Sequence, residues 1–195
     1  MTALDRRAVV AELLRERGDL LCVGGLGASA WDLAATGDSP LDLPLWGAMG
    51  GAAMIGLGLA LAQPARRVLV VTGDGEQLMA LGTLATIGLQ QPRNLAVVVL
   101  DNERYGETGC QPTHTAQAVD LAACARACGI ADARTITQAT DLPALRSAIR
   151  EGTGPLVAVC KVAAEGSPLV LPPRDGGVLA TRFRDALLGP AEASS

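Results

Sequence analysis

The sequence predicts an α/β fold, a doubly wound, mainly parallel sheet with helices on both faces. Three observations predict it. Largely apolar runs of strand length (20–23, 68–72, 95–100 and 156–162) and a short mixed strand over 133–136 alternate with longer segments of helical apolar spacing, and strands apolar on both sides belong to a sheet that is covered on both sides. The chain has 195 residues and is 49% hydrophobic, which suffices for one domain with two such layers. Glycine-rich breaks, Gly24-Gly25-Leu26-Gly27 and Gly73-Asp74-Gly75, follow the first two strands, where the chain must turn away from the sheet.

In chain order, Ala3 to Arg17 reads as a helix with Leu4, Val9, Val10, Leu13 and Leu14 inward. The 20–23 strand follows, then the glycine turn and a short helix from Ala28 to Ala35. Thr36 to Leu45 contains Pro40 and Pro44 and reads as a connection leading to a Gly-rich helix, Gly50 to Ala62. The 68–72 strand, a helix over Glu76 to Leu89 (apolar at Leu78, Leu81, Leu84, Ala85 and Leu89) and the 95–100 strand form one crossover. Glu103 to Gln117 is a long loop. Helices over Val119 to Cys128 and Asp141 to Arg150 flank the 133–136 strand, and 156–162 completes the sheet. Ala163 to Pro173 is an extended Pro-rich connector, Val178 to Leu188 a final amphipathic helix, and 190–195 a frayed end. The expected division is an α/β domain over 1–162 and a C-terminal connector, helix and tail over 163–195.

Bulk properties exclude several classes of function. The formal net charge is −4 and the basic residues are scattered, so no stripe invites nucleic acid. The apolar run Met49 to Ala62 falls short of the roughly 20 residues of a membrane span, and Met1 to Arg17 is a charged helix without a signal-peptide core. A cytoplasmic protein is expected. The five cysteines have no metal-binding spacing. Cys22 and Cys160 lie in strands and Cys124 and Cys128 on one helix, all four read as buried small apolar residues. Cluster-based electron transfer is thereby excluded.

The chemistry is concentrated at two strand ends. Gly73-Asp74-Gly75 breaks a buried strand so that a carboxylate emerges at its carboxyl end, and Asp101-Asn102 ends the next strand in the same way. Parallel neighbours lie about 4.8 Å apart, so Asp74 and Asn102 can share one small oxygen-seeking cation. Magnesium suits this pair, because it takes few protein ligands and completes its octahedron with water and phosphate oxygens. Gly75 and the amides after it open a helix, where free N–H groups favour a diphosphate. Gly24 to Ala30 also contains GxGxxA after a strand, the minimal dinucleotide fingerprint. No ribose-binding acid is clearly placed after it, and Gly24 and Gly25 serve better as a second backbone cradle for the diphosphate.

The blocks LPLWGAMGGAAMIGLGLALA (43–62), GDGEQLMALGTLATI (73–87) and DNERYGETGCQPTHT (101–115) occur in order, and the GDG…N pair among them is similar to the thiamine-diphosphate signature. Together they resemble the thiamine-binding subunit of sulfopyruvate and phosphonopyruvate decarboxylases over roughly residues 18–162. The resemblance implies the diphosphate-binding domain of the thiamine-diphosphate fold, with thiamine diphosphate and Mg²⁺ as cofactors. It implies a third metal ligand from the backbone carbonyl of Arg104, beside Asp74 and Asn102. It also implies a bulky side chain, Met49, that bends the cofactor, and a carbonyl, Gly47, that accepts from its aminopyrimidine. Further cofactor contacts are expected from Gly24, Gly25, Gly73, Gly75, Glu76, Tyr105 and Gly106. Relatives often carry Ser after GDG, whereas this chain has Glu76, which is expected to point away from the diphosphate and interact with its helix start. The only His, His114, lies in the loop after Asn102 and is a candidate for a substrate-side catalytic role, as is Cys110.

The activity implied is that of a 2-oxo-acid decarboxylase, with a small 2-oxo acid as substrate. A catalytic Glu is expected from a separate pyrimidine-binding subunit, since 1–17 reads as one helix and 163–195 as a tail, and a hetero-oligomer follows. A carboligase or aldehyde lyase on the same cofactor, and a non-catalytic nucleotide-binding regulatory subunit built on the GxGxxA turn, are the alternatives.

Overall fold

Residues 3–164 and 167–189 are described by the computed structural model. Its central sheet has six strands, β1 (Leu21–Gly24), β2 (Asp42–Pro44), β3 (Val68–Gly73), β4 (Leu95–Asp101), β7 (Asp132–Ile136) and β8 (Leu156–Lys161). Their order is β2-β1-β3-β4-β8-β7 and every pair is parallel. Two two-residue strands, β5 (Arg104–Tyr105) and β6 (Gln111–Pro112), make a separate antiparallel hairpin.

Alternation along the strands supplies two cores. On one face Cys22, Leu69, Val71, Ala96, Val98, Leu100, Ala158 and Cys160 pack against α1 (Arg6–Leu14), α2 (Ala28–Ala34) and α7 (Leu142–Glu151). On the other, Leu21, Val23, Val70, Val97, Val99, Val157 and Val159 meet α3 (Ala52–Ala62), α5 (Thr83–Gln90) and α6 (Leu121–Ala127). The doubly wound sheet expected from the apolar runs is therefore present. All five residues expected to face inward are buried, but the helix begins only at Arg6 and Leu4 lies ahead of it in a parallel bridge to Val162; Asp5 caps α1 by accepting from the Ala8 amide at 2.7 Å. Helix α3 buries only small residues and one leucine (Ala52, Ala53, Gly56, Leu57, Ala60), so it lies close on β1, β3 and β4. Asn94 donates to the carbonyls of Ala60, Gln63 and Arg66 and so ties the end of α3 to the turn that leads into β3.

Four local expectations change. The connection over 36–45 contains β2, an edge strand of three residues that ends at Pro44; proline is tolerated there because an edge needs no further donor. The helix expected over 76–89 is two helices, α4 (Asp74–Met79) and α5. The buried Gln77 carboxamide donates to the Ala80 carbonyl and the Thr83 hydroxyl and stabilises the break. Leu81 and Leu89 face solvent, and Leu84 and Ile87 form the buried side instead. The loop over 103–117 folds into the β5–β6 hairpin and a 3₁₀ turn, His114–Ala116. Cys124 and Cys128 are half-buried, whereas Cys22 and Cys160 are fully enclosed.

The final helix, α8 (Gly176–Leu188), lies against β2 and buries Leu179 and Phe183. Phe183 joins the second core. The tail expected over 190–195 lies outside the described residues. Among the described residues no helix is long and apolar enough to cross a membrane.

Burial raises the thiol pKa of Cys22 and pushes that of Cys160 up to about 12, while Cys110 is exposed. Thiolate is the reactive species. Native protein treated with iodoacetamide at mildly alkaline pH should therefore be alkylated at Cys110 and remain free at Cys22 and Cys160 until it is unfolded. Peptide mass spectrometry checks this, and early modification of Cys160 would contradict the burial.

Candidate active site

The strand order places a switch point between β1 and β3. After β1 the chain turns to α2 on one face, and after β3 it turns through α4 to α5 on the other, so a crevice opens at the carboxyl ends of these strands. A cleft of about 350 Å³ occupies that edge. Its wall includes Leu26, Ala28 and Ser29 after β1, Gly73 to Glu76 after β3, Asn102 after β4, and Arg104 to Thr108 of the hairpin. Met49 stands at the rim, half-exposed rather than in the core. A second cleft of about 380 Å³ lies beside Arg66, Arg67, Arg93 and Gly152, at the opposite edge, and holds none of these groups.

Asp74 opens α4 immediately after β3 and is 2% exposed. Thr113 donates to its Oδ2 at 2.5 Å, with Thr115 3.3 Å from the same oxygen. Thr115 also lies 2.8 Å from Asp101 Oδ1. Each hydroxyl has a single proton, so Thr113 serves Asp74 and Thr115 serves Asp101. Lys161, at the end of β8, donates to Asp101 Oδ2 and to Glu103, both at 2.8 Å. Burial raises the Asp74 pKa, the nearby Asp101 charge adds to the rise, and the threonine hydroxyls oppose it. Burial by itself would lower the pKa of Lys161, but its bonds to Asp101 and Glu103 prevail and raise it, so the ammonium stays charged.

Asn102 follows β4, whose register with β3 ends at Gly73 opposite Leu100, and lines the same cleft as Asp74. Its side-chain oxygen accepts from the Arg104 amide at 3.0 Å, which fixes its direction and leaves a second lone pair. Glu103 between them has φ +62, an uncommon left-handed conformation for a non-glycine residue. Its amide donates to Asp101 and its carbonyl accepts from the Thr113 amide, contacts that hold this strained conformation. Tyr105 lies over Gly75 so closely that a Cβ there would come within 2.5 Å of the ring. Ala48 shares the left-handed conformation, with φ +58, in the turn that presents Met49.

Glu76 is buried and departs from expectation. It does not turn to its own helix start. Its Oε2 accepts from the Leu26 amide at 3.0 Å and the Thr72 hydroxyl at 2.9 Å, and its Oε1 faces the Gly50 and Ala52 amides at 3.3 and 3.4 Å. Carboxylate-to-amide contacts at helix starts are favourable, but the starts chosen are those of neighbouring elements.

Asp74, Asn102, Arg104, Tyr105, Gly106, Gly73, Gly75, Glu76 and Met49 thus gather at one cleft. Gly24 and Gly25 stand behind its wall: Gly25 donates to Val71, and the residues on the lining are Leu26, Ala28 and Ser29. Gly47 is exposed beside Met49 and does not line the cleft. His114 is also exposed and off the lining, and the inward positions of its turn belong to Thr113 and Thr115. Cys110 does line the cleft. Sequence reasoning also missed Arg6, which reaches the cleft from α1 and is paired through Nε with the fully buried Asp32 at 2.6 Å. Arg7 meets the other Asp32 oxygen at 3.1 Å. Nothing in the local sequence around Arg6 signals this. For Thr113 and Thr115 the spacing on either side of His114 was a usable signal.

The family profile described as thiamine pyrophosphate enzyme, C-terminal TPP binding domain, matches residues 23–160. The chain belongs to this family. It is 43% identical over 166 residues to a phosphonopyruvate decarboxylase of Streptomyces viridochromogenes, a match covering 78% of this chain and 40% of that protein. It is 43% identical over 126 residues to the sulfopyruvate decarboxylase subunit beta of Methanothermobacter thermautotrophicus, covering 65% of this chain and 67% of the subunit. The corresponding subunit of Methanococcus maripaludis is 32% identical, with 85% and 89% covered. The TPP domain's fold is shared with benzoylformate decarboxylase of Polynucleobacter necessarius, at a TM-score of 0.67 and 21% identity over 85% of this chain and 34% of that one.

Replacing Thr113 by Val removes the shorter of the hydroxyl contacts to Asp74 while keeping shape. Hydrogen bonds to charged groups contribute about 1.5–3 kcal/mol. A destabilisation near the low end of that range is expected in urea unfolding, and an unchanged midpoint would mean that Asp74 does not depend on this contact.

Proposed function

We propose that this chain holds thiamine diphosphate and Mg²⁺ in the β1–β3–β4 cleft and acts as the cofactor-binding part of a 2-oxo-acid decarboxylase, together with a pyrimidine-binding partner. The observation that carries the reading is the presence of Asp74 and Asn102 beyond the ends of two paired strands and on one cleft, with Asp74 buried beside a second carboxylate and, among the described residues, met by hydroxyls and its own backbone amide. Such a carboxylate is suited to a divalent cation, whose charge would favour its ionised form.

In this reading Asp74, the Asn102 side-chain oxygen and the Arg104 carbonyl hold the metal. The first amides of α4, which has no side-chain cap, and those at Ala28 and Ser29 face the diphosphate. Gly73, Gly75 and Gly106 let the backbone approach it, and Tyr105 covers one side. Met49 supplies the apolar surface that bends the cofactor, and the Gly47 carbonyl accepts from its aminopyrimidine. The cofactor supplies a nucleophilic carbon and an electron sink for loss of CO₂. Residues 1–162 are taken as the cofactor domain and 163–195 as its C-terminal extension.

A partner that supplies the catalytic Glu is supported by two observations. Relatives are named as beta subunits of sulfopyruvate decarboxylase. Trp46, Met49, Met54, Met79 and Leu81 are also exposed, with Met49 on the cleft lining and Met79 against the Gly50 turn beside it. Exposed apolar side chains grouped in this way suit a protein interface. The dinucleotide alternative loses support, since the Gly25 and Leu26 amides are already taken by Val71 and Glu76.

Asp74→Ala should abolish Mg²⁺-dependent binding of thiamine diphosphate with the fold preserved; unchanged affinity by calorimetry would remove the metal assignment. Met49→Ala should retain the cofactor but lower kcat about tenfold, equivalent to roughly 1.4 kcal/mol of transition-state stabilisation. CO₂ release from a panel of 2-oxo acids, measured with and without a pyrimidine-domain partner, tests the activity. Turnover by this chain alone would refute the shared site.

A further inference from the structure

Glu76 joins three segments that the cleft depends on. Its carboxylate accepts from the Leu26 amide of the β1–α2 turn, from Thr72 of β3, and from the Gly50 and Ala52 amides where α3 begins. These segments carry, respectively, the Leu26–Ser29 wall, the Asp74 floor and the Met49 rim. Four donors meet the four lone-pair sites of one carboxylate. The fit is close on every side: a Cβ at Gly25 would lie 2.0 Å from Glu76 Oε2 and 3.1 Å from Thr72 Oγ1. Gly25 is thereby explained by an internal carboxylate, since its own amide is bonded to Val71 at 2.7 Å.

We infer that Glu76 is a positioning residue, a resident anion that locks the β1–α2, β3–α4 and α3 turns into the arrangement that receives the cofactor. Only a carboxylate performs this role at this place. Glutamine presents an NH₂ to backbone N–H groups and leaves donor facing donor, aspartate is one methylene too short to reach all four partners, and serine cannot span them. The effect on the cofactor rests on the thiamine diphosphate reading, whereas the anion site itself does not.

The test exploits the hole that truncation leaves. Glu76→Ala exposes three amides and a hydroxyl that formate can refill. In the full-length chain without cofactor, formate should raise the melting temperature of Glu76→Ala while sodium chloride at equal ionic strength does not, and the wild type should not respond. With Mg²⁺ present, the variant's Kd for thiamine diphosphate should weaken by about tenfold or more, the scale of losing charge-assisted hydrogen bonds, and recover with formate. Glu76→Gln keeps the volume, so it should bind as weakly and ignore formate. It decides the matter if the alanine variant does not fold. Wild-type cofactor affinity in either variant, or a formate response in Glu76→Ala no larger than in wild type, overturns the assignment. Failure of the wild type to bind thiamine diphosphate would instead count against the cofactor reading, leaving the formate response to judge the anion site.

Discussion

Three buried carboxylates share the carboxyl edge of one parallel sheet, and the rest of the site is arranged around their compensation. Asp74, Glu76 and Asp101 are each at most 5% exposed, and an unpaired charge in such a place is strongly destabilising. Asp101 is matched by Lys161 and Thr115. Glu76 is matched by amides and the Thr72 hydroxyl. Asp74 receives a hydroxyl at close range and, among the described residues, no cationic side chain. In the proposed function the metal supplies the missing charge, which assigns a separate partner to each carboxylate.

The topology makes this concentration possible. A sheet buried on both faces can turn its polar groups outward only at its edges and strand ends, and the switch point between β1 and β3 parts the following helices to opposite faces. The space opened there is too wide for one loop to fill, so it is lined from four directions, by the β1–α2 turn, the β3–α4 turn, the β5–β6 hairpin and the turn before α3. Strain is stored in two of these, at Ala48 and Glu103, which adopt left-handed backbone next to Met49 and Asn102. Both turns are held by hydrogen bonds within the scaffold, Gly51 to the Ala48 carbonyl and Thr113 to the Glu103 carbonyl.

Much of the fold was legible because its signals are local. Apolar runs at Val68–Thr72 and Leu95–Leu100 cannot satisfy a solvated position on either side, and Val9, Val10, Leu13 and Leu14 of α1 face inward as read, while Leu4 is buried in a bridge to Val162 ahead of the helix. Local signals also failed in characteristic ways. Leu81 and Leu89 match a helical apolar face by spacing, but burial of Gln77 ends the first helix at Met79 and sets a different phase for the second. The three residues of β2 are too few for periodicity to register. At the site, His114 drew attention as the only residue of its type, while the threonines on either side of it hold the carboxylates.

By itself the sequence determined which residues are apolar enough to build a two-sided parallel sheet, and that an Asp and an Asn end neighbouring strands, because side-chain period and strand-breaking glycines are properties of consecutive residues. Which groups meet across that edge was decided by tertiary structure alone. Glu76 reaches Leu26, 50 positions away, Lys161 reaches Asp101, 60 away, and Arg6 meets Asp32 from another helix. Such pairs follow from strand order and from the demand that buried charge be met by the nearest available donor. Neither is encoded in spacing along the chain, which is why the reading of Glu76 from its own helix start went to the wrong amides.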